Sequence, residues 1–411
     1  MLSVPPPLHS RRERSNAPAK NDLSGLTSAV TKVGREHNAL QDTERLLRAE
    51  RDGNLTAKRI CIAVLFGGRS EEHDVSLLSA TNVMAVLPPE KYDPLPVFVT
   101  REGRWLLSSF EDGVLSRPTS GTVLCLIPGG QGRALAVSTN GLCYEKPKID
   151  VLFPVLHGLH GEDGAVQGLA EVARVPLAGC GIFGCANALD KEIAKRLFND
   201  AGIPTARSVT IHCGAVPAFD ELIEKLGKPI FIKPARQGSS VGVNRVSTNV
   251  HYEAALAEGF RHDTKLLAEA FVHGRKIECA VLEDAAGALL VSRTGEIIPA
   301  ADRHGFYTYD AKYTDANGAV LKVPADLPQA IEDKVRALAE KAFRALGCDG
   351  MARADFFVTP DMQVLVNELN TIPGFTNISM YSKVVEVSGV CYPEIIDRLV
   401  AHGMARAGAT R

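Results

Sequence analysis

The chain has 411 residues, with 46 Lys plus Arg against 48 Asp plus Glu and a formal net charge of −2. That length excludes a single small domain and implies two or three; the near-neutral charge excludes a broad nucleic-acid-binding face, so any anion site must be local. Apolar residues make up 45% and aromatics 6%, with 36 Gly and 23 Pro, the composition of a soluble, loop-rich α/β enzyme.

Residues 1–57 contain no Phe, Tyr or Trp; the first aromatic is Phe66. Without the large side chains that anchor a core, this segment is expected to be a low-complexity, disordered tail. Its start is basic, with Pro5-Pro6-Pro7 and Arg11-Arg12-Glu13-Arg14, but no apolar h-region follows, so a secretory signal is not expected and a transit peptide is the alternative. Leu40, Leu46 and Leu47 among mixed charges fit one short, weak helix. The longest apolar run, Ile60 to Phe66, is far below the roughly 18 residues needed to span a bilayer, so no membrane segment is expected. Nine scattered Cys without a Cys-x-x-Cys pair suggest reduced, mostly buried thiols in a cytoplasm, with neither a zinc site nor a catalytic cysteine.

From Arg59 the texture changes. Ile60 to Phe66, closed by Gly67-Gly68, reads as a central parallel strand. A helix over about 74–87, strands near 95–99 and 150–155 and a helix at 165–174 continue a β-α alternation, which predicts a parallel sheet covered by helices. A helix at 187–201, strands at 207–211 and 229–233 and a helix at 250–261 make a second unit. After a strand at 265–269 come further strands, a polar excursion at 302–318, and a helix with Ile331, Val335, Leu338, Ala342 and Leu346 on one face. Paired strands around 352–358 and 363–369 and a last helix from about 382 complete a third unit.

Four segments could carry chemistry. Lys233 to Gly242 runs from a strand end into a Gly- and Ser-rich loop, where backbone N–H groups and a lysine can meet phosphate, although a plain flexible hairpin has the same composition. Asp355, Glu368 and Asn370 bracket two short strands; Glu368 and Asn370, two apart, share a face, and such hard oxygens suit Mg²⁺, while solvated carboxylates at a sheet end are the alternative. Arg353 shares the side of Asp355 and could offset developing negative charge, as could the turn Thr371 to Phe375. His157 to Gly164 and Ser70 to Asp74 follow strands at the rim where open α/β sheets bind ligands, although Asp74 and Asp163 would also serve as helix caps. Phe306 to Tyr313, aromatic and charged, reads as a lid.

In this order the segments resemble the D-alanine:D-alanine ligase family of the ATP-grasp superfamily over about residues 59–402. The blocks that carry the resemblance are Leu65 to Ser76, His157 to Gly164 with Gln167-Gly168, Lys233 to Gly242, Tyr307 to Tyr313 and Asn367 to Gly374. It implies a three-domain ATP-grasp architecture of α/β and α+β type: an N-terminal α/β domain at 58–180 with the first D-alanine site, a central ATP-grasp subdomain at 181–272, and a C-terminal one at 273–411 with the metal and second D-alanine sites. It also implies ATP as a substrate, two Mg²⁺ or Mn²⁺, a homodimer, and no nucleic-acid or membrane partner.

Residue by residue, the resemblance assigns Lys191 and Lys233 to the nucleotide phosphates, with the loop Gln237, Gly238, Ser239, Ser240 to Gly242 closing over them. It assigns Glu269 to the adenine amino group with Phe271 and Val272 in the hinge strand, and Asp355, Glu368 and Asn370 to the metals. Glu72, aided by His157, takes the first D-alanine ammonium; Ser239 and Tyr313 form a hydrogen-bonded group with Glu72; Lys312 and Ser379 take the second carboxylate; Arg353 and the Gly374 N–H face the oxyanion. Tyr313, and the absence of a positive charge at Met380, favour D-alanine in the second site over D-lactate or D-serine. Lys276 departs from the pattern: the family usually has there a Glu that bonds the ribose hydroxyls, and Lys cannot accept those bonds. Glu278, on the same strand face, is the candidate substitute.

Overall fold

The computed structural model describes residues 58–299 and 319–409. The tail 1–57 and the excursion carrying Tyr313 and Lys312 lie outside the described residues.

Strand β1 (Ile60–Gly67) takes an interior position in its sheet, paired on both sides, because Ile62 to Phe66 are apolar on both faces and fully buried. Helix α1 (His73–Val86) crosses over to β2 (Tyr92–Val99), and β1 pairs in parallel with β2 on one side and β9 (Val151–Pro154) on the other. These three strands form the expected parallel part of the sheet; its remaining described strands are antiparallel. Between β2 and β9 come β3 (Trp105–Leu107), a small hairpin β4 (Phe110–Glu111) and β5 (Val114–Leu115), then β6 (Val123–Leu126), β7 (Ala134–Val137) and β8 (Cys143–Glu145). The connections here are short and Gly-rich, as at Gly129-Gly130 and Asn140-Gly141, too short for a crossover, so the strands add antiparallel in the order β8-β7-β6-β3-β2-β1-β9.

After α2 (Ala165–Ala173), the one helix expected at 187–201 proves to be two, α3 (Ile182–Leu189) and α4 (Lys191–Asp200). The break falls at Asp190, whose extended backbone lets its carboxylate accept the Glu192 and Ile193 N–H groups as an N-cap. Then β10 (Ser208–His212), α5 (Phe219–Leu226), β11 (Ile230–Pro234), β12 (Asn244–Val246), α6 (Asn249–His262) and β13 (Lys265–Ala270) form a four-stranded antiparallel sheet, order β10-β13-β11-β12, backed by its own apolar core. Lys265 on β13 grips Asp190 and Glu192 at 2.7 Å, which fixes the start of α4 against this sheet.

A third sheet, order β16-β15-β14-β17-β18, comprises β14 (Arg275–Glu283), β15 (Leu289–Pro299), β16 (Ala319–Lys322), β17 (Met351–Val358) and β18 (Val364–Asn370). Helix α7 (Gln329–Ala345) covers one face with Val335, Ala342 and Phe343. The expected last helix is again two, α8 (Met380–Glu386) and α9 (Tyr392–Ala409), because the chain reverses at Gly389 with φ +97°. Phe375, Tyr381 and Ile396 join Phe66, Phe153 and Leu282 in one core, so the first and third sheets share an interior. No described helix is long and apolar enough to cross a membrane.

Candidate active site

One cavity of about 570 Å³ opens between these sheets. At the rim of β1 and β9, the Glu72 carboxylate accepts a hydrogen bond from the Ser239 hydroxyl. It is packed between two glycines: a Cβ at Gly158 or at Gly238 would stand 3.0 Å from Glu72 Oε2. Ser239 and Ser240 both hold positive φ, +48° and +63°, a strained conformation for residues with a Cβ and one that turns successive N–H groups to the same side.

The run Ile372–Phe375 hangs from side chains at the rim of the first sheet. His157 is buried, and burial pulls its imidazole below the usual histidine range. Neutral, it donates from Nδ1 to the Ile372 carbonyl at 2.8 Å and accepts at Nε2 from the Ser79 hydroxyl at 3.2 Å; that hydroxyl accepts the Phe375 N–H at 3.1 Å. Glu162 accepts the Ile372 N–H at 2.7 Å and the Gly158 N–H at 2.9 Å, while burial and the nearby Glu72 charge push its carboxyl up to about 7. The Thr376 N–H goes to Ser379 Oγ at 2.9 Å, and proline occupies position 373. The Gly374 amide is therefore the one N–H of this run with no acceptor among the described residues, and a Cβ at Gly374 would stand 2.8 Å from Ser379 Oγ.

At the other end, two lysines of α4 one turn apart converge with β11. Lys191 donates to the Gln237 carbonyl at 2.6 Å and lies 3.5 Å from Glu368. Lys195, deeply buried, contacts Glu269 Oε1 at 2.6 Å, and Lys233 holds Oε2 at 2.5 Å. Burial would push the Glu269 carboxyl up, but Lys233 and Lys195 outweigh it and hold it below the usual range. Phe271 and Val272 lie just past the end of β13, in the link to β14 rather than in a hinge strand; Phe271 faces Phe231 with ring centroids 6.0 Å apart.

On β17 the pleat sends Ala352, Ala354, Phe356 and Val358 into the core and Arg353 and Asp355 towards the cavity. A bulge opposite the Asp355–Phe356 step skips Asn367, so that Glu368, and with it Asn370, faces the same side as Asp355. Glu278, Asp355 and Glu368 are consecutive cross-strand neighbours on β14, β17 and β18. Arg353 neutralises part of this row, holding both oxygens of Asp355 at 2.7 and 2.8 Å and Glu278 at 2.9 Å, and Asn370 donates to Asp355 at 3.1 Å.

Every anticipated site residue within the described portion lines this cavity: Glu72, His157, Lys191, Lys233, Gln237, Gly238, Ser239, Ser240, Glu269, Phe271, Val272, Arg353, Asp355, Glu368, Asn370, Gly374 and Ser379. Tyr313 and Lys312 lie outside the described residues. Lys276 also lines the cavity, but Glu278, expected as its substitute at the ribose, is turned to Arg353 instead. Sequence reasoning missed Lys195, Glu162 and Ser79. The spacing of Lys191 and Lys195 was the available signal for the first; Ser79 reads as an ordinary helix polar residue, and Glu162 lies inside the His157–Gly164 block without a role of its own.

The D-ala D-ala ligase N-terminus model matches residues 61–180 and the D-ala D-ala ligase C-terminus model residues 197–401. The chain is 65% identical to D-alanine–D-alanine ligase A of Brucella suis biovar 1 over 86% of this chain and 99% of that one, and 52% identical to the enzyme of the same name from Mesorhizobium japonicum over 84% and 97%. Among solved structures, the D-alanine-D-alanine ligase from Coxiella burnetii superposes with a TM-score of 0.73 at 33% identity, covering 86% of this chain and 96% of that one. The VanG D-Ala:D-Ser ligase from Enterococcus faecalis follows at 0.72 and 34%, covering 84% and 100%. With matches of this extent over both halves of the cavity, the chain belongs to the D-alanine–D-alanine ligase family.

Proposed function

We propose that the protein joins two D-alanine molecules into D-alanyl-D-alanine at the expense of ATP, the dipeptide serving peptidoglycan synthesis. A carboxylate is a poor acyl donor. The first D-alanine carboxylate oxygen therefore attacks the γ-phosphorus of ATP, forming an acyl phosphate and releasing ADP; the amine of the second D-alanine attacks the acyl carbon, and phosphate leaves.

Lys191 and Lys233 hold the nucleotide phosphates, with the Gln237–Gly242 loop above them. Glu72, in hydrogen-bond contact with Ser239, receives the first ammonium; Ser379 and Lys312 receive the second carboxylate, and Tyr313 joins the Glu72–Ser239 group. When the acyl carbon becomes tetrahedral, its oxyanion meets the Arg353 guanidinium and the Gly374 amide, which the fold leaves without an acceptor among the described residues. His157, with both ring nitrogens engaged, holds the loop rather than the substrate.

Asp355, Glu368 and Asn370 present hard oxygen donors on one face, a set that fits two Mg²⁺ or Mn²⁺ ions. Such ions, when bound, neutralise phosphate charge. The proposal extends to a cytoplasmic homodimer.

The observation that carries this reading is the convergence in one cavity of two phosphate-type lysines, a row of metal-type oxygens, Arg353 and the Gly374 amide. The test is ADP release by the purified, Mg²⁺-supplied protein with D-alanine, L-alanine or D-lactate as acceptor. Release that depends on D-alanine, with dipeptide as product, is expected; its absence overturns the reading, and preference for D-lactate overturns the choice of second substrate.

A further inference from the structure

Three thiols lie behind the active-site loop and take no part in the chemistry above. Cys180 closes the segment after β9, Cys185 is on α3, and Cys348 precedes the β17 turn. They meet across Gly184, where a Cβ would collide with the Cys180 sulfur and stand 2.6 Å from the Cys348 Cα. Cys185 Sγ donates to the Cys180 carbonyl at 3.5 Å. Asp349 fixes the junction by accepting the Gly181 N–H at 2.5 Å and pairing with Arg406 at 2.5 Å, so the Cys180 and Cys348 backbones cannot drift apart freely.

Burial would push the Cys180 thiol up, but the neighbouring Cys185 and Cys348 thiols outweigh burial and bring it down to about 5. Cys348 is pushed well above the usual thiol range by that same contact and by burial. Three cysteines thus gather around Gly184, with Cys180 the most acidic of them, the arrangement of a nucleophile with resolving partners. The Cys185 sulfur lies beside the Thr371 hydroxyl. That hydroxyl is buried, has no partner of good hydrogen-bond geometry among the described residues, and belongs to the residue before Ile372.

We propose that Cys180 and Cys348 form a disulfide on exposure to a hydroperoxide, and that the cross-link slows the enzyme by displacing the Cys185–Thr371 contact behind the oxyanion loop. The Cys180 thiolate attacks one peroxide oxygen; an S–O bond forms, the O–O bond breaks, and the departing hydroxide leaves as water with the proton the thiol gave up. The Cys348 sulfur then displaces the sulfenic hydroxyl, forming S–S and releasing a second water. Each sulfur loses one electron and the peroxide gains two.

The test treats the full chain with dilute hydrogen peroxide, alkylates remaining thiols and maps peptides by mass spectrometry, a readout independent of any activity. Alongside it, D-alanine-dependent ADP release is followed in wild type and Cys348→Ser. A Cys180–Cys348 cross-link, loss of most of the wild-type activity, recovery of both with dithiothreitol, and protection of the variant are expected. The proposal falls if both cysteines stay alkylatable after the exposed Cys125, Cys143, Cys213 and Cys391 have reacted. It falls equally if Cys180 pairs with Cys185 instead, if the cross-link leaves activity intact, or if Cys348→Ser is as sensitive as wild type.

Discussion

Lys195 and Lys233 divide a single carboxylate between them: Glu269 gives Oε1 to the first at 2.6 Å and Oε2 to the second at 2.5 Å. Lys195 also donates to the Ala206 carbonyl at 3.0 Å and is buried away from the cavity, so only Lys233 can turn to a phosphate. Its freedom to do so depends on Lys195 keeping Glu269 neutralised. Lys195→Met is expected to raise the KM for ATP roughly tenfold, about 1.4 kcal/mol, and to lower stability by about 3 kcal/mol through the broken buried pair. Lys195→Arg should recover most of both. Steady-state kinetics with varied ATP, on variants shown to be folded, would refute this if the Met variant kept the wild-type KM.

Asp355 is the member of the carboxylate row that Arg353 grips with two bonds. Asp355→Asn is expected to cut ADP release by about 10³-fold and to raise the Mg²⁺ concentration needed for half-activity. Stability should change little, since Glu278 still pairs with Arg353. Titration of activity against Mg²⁺ checks this; near-wild-type turnover would remove Asp355 from the site.

Glu162 carries a carboxyl raised to about 7 in the fold against about 4.5 in an unfolded chain, the reverse of the usual carboxylate case. The neutral form is favoured by folding, so this contribution is complete below pH 4.5 and is lost as pH rises through 7, up to about 3 kcal/mol. Glu162→Gln loses one backbone hydrogen bond, about 1–3 kcal/mol at any pH, but has no charge to bury. The variant should therefore trail wild type in denaturant midpoint at pH 5, and the gap should narrow by pH 8. A gap that widens with pH would contradict the assignment.

Lys276 lines the cavity on β14 and offers no acceptor to a ribose hydroxyl. Lys276→Glu is expected to lower the KM for ATP severalfold, about 1 kcal/mol for one charge-assisted bond. A KM that is unchanged or raised would sink the idea.

What the sequence disclosed follows what was local. Ile60 to Phe66 announced a central strand because a run apolar on both faces has few other homes. The strands from Trp105 to Glu145 did not announce themselves: they are two to four residues long and partly exposed, and their pairing depends on Gly turns. Asp190 was a cap inside an apparently continuous helical pattern, and its role became definite only with Lys265, distant in sequence, holding it. For the site, Glu368 and Asn370 were placed on one face by their spacing, yet it is the bulge at Asn367 that sets that face opposite Asp355, and a bulge leaves no periodic signature. Glu278 looked like a neighbour of Lys276; its buried ion pair with Arg353 is a cross-strand fact.

The suspended run from Ile372 to Phe375 has a practical reach beyond its own residues. Its three anchors sit on the wall of a different sheet, one of them within helix α1, and they act without touching a reactant. A change at Ser79 will consequently behave as a turnover defect with ordinary substrate affinities. Surveys that rank positions by proximity to bound ligand would pass it over, whereas slow turnover with an unaltered Michaelis constant would single it out.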